Sequence, residues 1–75
     1  MYHTIEFAEA LVLDLEISPK HPLEQVAIRK GTRLRAQIRP YVIETEEGPA
    51  EVADLFFEEG TATRRVRFAT FAFVD

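Results

Sequence analysis

The chain contains no cysteine, which excludes disulfides and thiolate-bound zinc. Its two histidines, His3 and His21, are too few for an ordinary histidine-based structural zinc site, and their spacing to nearby acids matches no ligand pattern. Ser18 is the only serine and stands beside a proline, so a Ser-His-acid arrangement has almost nothing to draw on. Glycine occurs three times, and no two glycines lie closer than Gly48 and Gly60. That leaves no glycine-rich loop to cradle a phosphate. The acidic stretch Glu44-Thr45-Glu46-Glu47 lacks the alternating Asp/Asn ligands of a calcium loop. No apolar run approaches the ~20 residues that cross a bilayer, and no charged leader with an apolar stretch and cleavage site opens the chain. No membrane partner and no cofactor are therefore expected, and a cysteine-free composition fits the cytoplasm.

The 75 residues make one domain, spanning 1–75. A chain this short buries only about 60% of the surface its unfolded form exposes. Small domains commonly add a disulfide, a metal or a partner subunit; with the first two excluded, good packing or self-association remains. Net charge is −4, which argues against nucleic acid or an anionic membrane as the main partner.

Each glycine stands third in a triplet whose first two residues are charged: Arg29-Lys30-Gly31, Glu46-Glu47-Gly48 and Glu58-Glu59-Gly60. Runs rich in β-branched or aromatic residues flank each triplet. This pattern predicts three-residue hairpin loops, a type I turn followed by glycine in the left-handed region. The first run places Ile5, Phe7, Leu11, Leu13, Leu15 and Ile17 on odd positions and Thr4, Glu6, Asp14 and Glu16 on even ones. Period two means a strand. Ala8-Glu9-Ala10 interrupts it, which predicts a bend or bulge. Ser18-Pro19-Lys20-His21-Pro22 ends it, because two prolines cannot continue a ladder.

Three-residue loops at the triplets would pair residues whose numbers sum to 60, 94 and 118. Val26 would then face Leu34, Ile38 would face Phe56, and Val52 would face Val66. All three sums are even, so even positions would share one face across four strands. The same register predicts two cross-strand ion pairs, Glu51 with Arg67 and Asp54 with Arg64. Pro40 marks a bend or an edge. After Ala69-Thr70 the parity changes, so that Phe71 and Phe73 join Leu55 and Phe57 on the odd side. The odd face of the first run could cover that apolar surface within one chain, and a second subunit could cover it instead. Residues 49–59 also admit a helix, with Pro49 in its first turn and Gly60 as its cap. Against the helix, Glu58 and Glu59 would oppose its dipole, and tandem Phe56-Phe57 suits a strand covered on both faces.

Carboxylates are the only abundant reactive groups. Glu9 sits on an apolar parity and Asp54 among Ala53, Leu55 and Phe56; either would carry a raised pKa if buried without a cation. A bend for Glu9 and an Arg64 partner for Asp54 explain both without catalysis, so no enzymatic activity is expected. The charge alternates in blocks along the chain, and adjacent antiparallel strands are expected to mix the signs.

The fold expected is all-β: an antiparallel meander of about five strands closing into a small barrel or sandwich, or an α+β variant with a short helix at about 49–59. It resembles small barrels of the SH3, Sm and OB kind in size and strand count alone, and no motif ties it to one family. The functional expectation is a cytoplasmic interaction or self-association module, a homodimer joined through Leu55, Phe57, Phe71 and Phe73. The alternative is a barrel that binds single-stranded nucleic acid through Arg33, Arg35, Arg39 and Tyr41, with Arg65 and Arg67 on the same parity.

Overall fold

Glycine triplets and period-two runs do produce strands, although not all in the expected pairs. The computed structural model describes all 75 residues. Seven strands form: β1 (His3–Phe7), β2 (Leu11–Leu15), β3 (Glu24–Ile28), β4 (Arg33–Thr45), β5 (Gly48–Phe57), β6 (Ala62–Arg67) and β7 (Phe71–Phe73), with one short 3-10 turn at Phe68–Thr70. All pairing is antiparallel, in a five-stranded sheet of order β6-β5-β4-β1-β7 and a two-stranded sheet β2-β3. The fold is all-β and sandwich-like. It does not close as a barrel: a single bridge, Glu16 with Ala62, ties the small sheet to the edge of the large one.

The first hairpin explains how one chain makes both sheets. Paired residue numbers sum to 39 in β1/β4 and again in β2/β3. Residues 3–15 and 24–36 are therefore two long strands in one register that turn a corner together. The corner lies at the Ala8-Glu9-Ala10 interruption and at Arg29-Lys30-Gly31. There Phe7 N–H donates to Thr32 O at 2.9 Å and Gly31 N–H donates to Phe7 O at 2.8 Å. Gly31 has φ 88°, a conformation that costs a residue with a Cβ. The first triplet is thus a corner and not a hairpin loop, and Val26 faces Leu13 instead of Leu34. The reason is competition for edges. A strand has two, and β5 and β1 occupy those of β4, while Leu11 and Leu13 offer Ile28 and Val26 apolar cross-strand partners.

The second triplet also differs from expectation. Thr45 pairs with Gly48, so Glu46-Glu47 is a two-residue turn and paired numbers sum to 93. Thr45 Oγ1 braces it, donating to Gly48 O at 2.7 Å and accepting from Glu47 N–H at 3.2 Å. An odd sum flips the parity of β5. Ile38 faces Leu55, Tyr41 faces Val52 and Val42 faces Glu51. Val52 and Phe56 therefore do not join Ile38 on one face; Ala53, Leu55 and Phe57 do. Residues 49–59 are strand and not helix through Phe57.

The third triplet forms the expected three-residue loop: Phe57 N–H donates to Thr61 O at 2.8 Å, and Leu55 faces Thr63. Beyond it a bulge opposite Asp54 shifts the register, so Val52 faces Arg67 and Ala53 faces Val66. The shift removes the expected Glu51–Arg67 pair. The expected Asp54–Arg64 pair forms, at 2.9 Å.

The core lies between the sheets. Ile5 and Phe7 of β1, Ala36 of β4, and Ala53, Leu55 and Phe57 of β5 supply one side. Leu13 faces them from the small sheet, flanked by Leu11 and Leu15, while Val66 and Phe71 close the ends. Burying each large side chain stabilises the fold by roughly 1.5–3 kcal/mol. The odd face of the first run thus covers the large sheet from within the chain. The parity change before Phe71 is made by the 3-10 turn, which also seats Phe68 against Phe71, ring centroids 5.1 Å apart.

Candidate functional site

The bulge in β6 gathers the densest polar constellation. Arg64 and Arg65 both oppose Asp54, and Arg65 takes the left-handed conformation at φ 57°. A residue with a side chain pays about 1–3 kcal/mol to sit there and stays only where its surroundings hold it. Asp54 is what holds it. This carboxylate is 7% exposed. Its Oδ1 accepts from Tyr41 Oη at 2.7 Å and from Arg65 N–H at 3.2 Å, and its Oδ2 accepts from Arg64 Nη1 at 2.9 Å. Arg64 also donates from Nε to Glu16 Oε2 at 3.3 Å, and its guanidinium lies 5.6 Å from the Phe56 ring centre. Burial by itself pushes Asp54 up; the hydrogen bonds from Tyr41, Arg65 and Arg64, with the Arg64 charge, outweigh it and hold the carboxyl below its usual range. The Tyr41 phenol is pushed up, chiefly by its hydrogen bond to Asp54. Asp54 is thus an ionised acceptor whose neighbours all donate, and its chemistry is to pin the bulge.

The outer face of the large sheet carries the arginines. Besides Arg64, two of them are engaged. Arg33 Nε donates to Glu6 Oε1 at 2.9 Å, and Arg35 donates from Nε to Glu58 Oε2 at 3.0 Å and from Nη1 to Thr4 Oγ1 at 3.2 Å. Tyr41 is half-buried and tied to Asp54. Arg39, Arg65 and Arg67 are exposed and take part in none of the five ion pairs of the chain. Of the four residues expected to form a nucleic-acid face, only Arg39 is a free cation. Arg65 and Arg67 supply two more.

The expected interface divides. Leu55, Phe57 and Phe71 are buried in the core: the odd register of β4 and β5 turns Leu55 and Phe57 toward the small sheet, and pairing with Phe7 of β1 sets Phe71 on the same side. Phe73 alone remains, 47% exposed. It lines a cleft of about 410 Å³ with Met1, His3, Gln37, Ile38, Pro40 and Phe68. Val42 lies next along β4 and is 60% exposed. At this end the two-stranded sheet does not reach over the large one.

The adjoining edge of β4 is open, since β1 pairs only with Arg33–Ala36. Backbone bonds alternate in direction along a strand. Arg35 O accepts from Glu58 N–H on the β5 side, and Thr32 O accepts from Phe7 N–H on the β1 side. Even residues of β4 therefore point to the open edge, Pro40 among them. Its missing N–H costs no bond to β5, and its ring occupies the place where an added strand would find a donor. Pro40 guards this edge.

Elsewhere, Glu9 is exposed at the corner. Ser18 Oγ and His21 Nδ1 lie 2.6 Å apart in the proline loop, and His3 Nδ1 lies 3.5 Å from Asp75. Asp75 is held below its usual range, chiefly by Thr4 N–H donating to it at 3.0 Å. No three His, Cys, Asp or Glu side chains gather closely enough to hold a metal. No helix is long and apolar enough to cross a membrane. Comparison with known proteins returned no matching family model, no matching curated sequence and no matching solved structure.

Sequence reasoning found the Asp54–Arg64 pair but missed Tyr41 as the third member, because Tyr41 reaches Asp54 only in the odd register. Two adjacent arginines in a strand of alternating character were the available signal for the bulge.

Proposed function

We propose that this protein is a non-catalytic interaction module that self-associates through the uncovered end of its large sheet. The observation that carries the reading is the apolar surface formed by Met1, Ile38, Pro40, Val42, Phe68 and Phe73 where the small sheet stops short. Area supports a partner of domain size. The chain exposes 5403 Å², whereas a compact monomer of 8.6 kDa exposes about 4,700 Å². The excess, about 700 Å², is close to the ~800 Å² that each partner contributes to a standard interface. A second copy brings the same apolar surface, so a two-fold pairing is self-complementary. The mode is face-to-face packing, since Pro40 disfavours strand addition at the adjoining edge. A reducing compartment such as the cytoplasm suits a chain without cysteine.

Sedimentation velocity over a wide concentration range tests this. The expected result is a species of twice the chain mass at high concentration, reduced to single chains by Phe73→Glu and by Val42→Glu. Both sites are exposed, so the variants keep the fold. A wild-type chain that stays single at the highest concentration refutes the reading.

A further inference from the structure

We propose that the outer face of β4, β5 and β6, away from the self-association end, binds the phosphodiester backbone of a single-stranded nucleic acid. Charge on this molecule is segregated by the fold. The outer face holds Arg33, Arg35 and Arg39 on β4 and Arg64, Arg65 and Arg67 on β6, six of the nine cations in the chain. Opposing them are Glu6, Asp54 and Glu58, with Glu16 reaching in from beyond β2, four of the thirteen carboxylates. The face itself is therefore net +2 and the remainder of the chain −6, with Glu9 and Asp14 bordering Arg64, Arg65 and Arg67 along the β6 edge. The expectation that neighbouring strands mix the signs holds in placement for Arg33, Arg35, Arg39, Arg64 and Arg65 and fails for Arg67, which faces Val52; Arg39 and Arg65 stand opposite Asp54 without forming an ion pair of their own.

The bulge is what assembles the free cations. In an unbroken strand Arg64 and Arg65 would point to opposite faces. Here both oppose Asp54, and the Arg65 charge is felt at Tyr41. Tyr41, Val52 and Arg67 form one cross-strand row, and Arg39, Asp54 and the Arg64-Arg65 pair form the next. Neighbouring strands lie about 4.8 Å apart, so β4 and β6 are separated by nearly 10 Å. Free guanidinium groups at Arg39, Arg65 and Arg67 thus span three strands. That spread suits a chain of anions better than one compact anion. Between them lies Tyr41, its hydroxyl anchored on Asp54 at 2.7 Å. Cations that track a backbone beside an immobilised aromatic ring are the elements with which small β domains hold single strands. The acidic remainder repels any longer length, which confines the contact to a few phosphates.

The test is fluorescence anisotropy of a labelled mixed-sequence single-stranded oligonucleotide, as DNA and as RNA, across a salt series. Three phosphate contacts predict a log–log salt slope of about −2, or about a twentyfold loss of affinity between roughly 50 and 200 mM salt. Arg39→Gln alone lowers the slope by about 0.7. The triple variant Arg39→Gln, Arg65→Gly, Arg67→Gln flattens it, and glycine at position 65 accepts the positive φ that arginine must strain to adopt. Arg33→Gln with Arg35→Gln leaves the slope unchanged, because those arginines are already paired. Absence of binding at the lowest salt overturns the proposal. So does a slope that survives the triple variant, or a poly-glutamate chain that binds the face as tightly as the oligonucleotide and so marks an acidic protein as the partner. A failed dimer with intact salt-dependent binding, or the reverse, separates this proposal from the self-association reading.

Discussion

Replacing Asp54 with alanine is the perturbation that reads the bulge most directly. Asp54 accepts three hydrogen bonds, from Tyr41, Arg64 and the Arg65 backbone. Bonds to a charged group contribute roughly 1.5–3 kcal/mol each, but the three do not simply add. Arg64 is half exposed and keeps Glu16, and the half-buried Tyr41 hydroxyl can turn to water. Removing Asp54 also relieves the cost of burying its carboxylate. What remains is a strained Arg65 without its anchor and a small void beside Val52. The expected loss is about 2–4 kcal/mol, read as a lower urea midpoint with an unchanged m-value. For a domain of this size that is a fall in Tm of about 10–25 °C.

The pH dependence gives a second, independent reading of the same group. The folded carboxyl is held below its unfolded value. The unfolded state therefore binds the proton more readily, and stability rises with pH across the interval between the two values. The Asp54 contribution is full above the unfolded value, near pH 4, and disappears as pH falls through the folded one. The stability difference between wild type and Asp54→Ala is thus constant from pH 7 down to about 5 and shrinks below about 4. A difference under about 0.5 kcal/mol, or one that does not shrink in acid, would refute the assignment of Asp54 as the anchor of the bulge.

Three other variants test the bulge, the core and the open end. Arg65→Gly removes the positive-φ strain at φ 57° and is expected to stabilise by up to about 1 kcal/mol, seen as a higher urea midpoint; a loss of stability would mean that the arginine side chain itself holds the bulge. Leu55→Ala, at a residue with no exposed surface, is expected to cost about 2–5 kcal/mol. Phe73→Ala, on the open end, should change monomer stability by less than about 1 kcal/mol. Equal effects at the two sites in chemical denaturation would show that Phe73 belongs to the core.

Much of the strand pattern was legible along the chain. Alternation in residues 3–15, the interruption at Ala8-Glu9-Ala10, the prolines that end the run and the Gly60 loop all appear where period and turn chemistry place them. These are local matters, decided by side-chain parity and by the conformations that glycine and proline permit. The Asp54–Arg64 pair was legible for the same reason, because it lies close to the one hairpin whose loop length was read correctly.

Register and pairing choice were not legible. Glu46-Glu47-Gly48 has the same form as Glu58-Glu59-Gly60, yet one closes a two-residue turn and the other a three-residue loop. The difference of one residue moved Leu55 and Phe57 from a supposed interface into the core and carried Tyr41 to Asp54.

Sequence alone thus determined that the chain is built of antiparallel strands without disulfide or thiolate-zinc support, because period, turn residues and the absence of cysteine are properties of short segments. Tertiary structure alone decided which strands meet, which aromatics are buried and which arginines are left free. Those outcomes depend on competition for strand edges, and on a bulge whose Arg64 side chain and Arg65 N–H donate to Asp54 of the neighbouring strand.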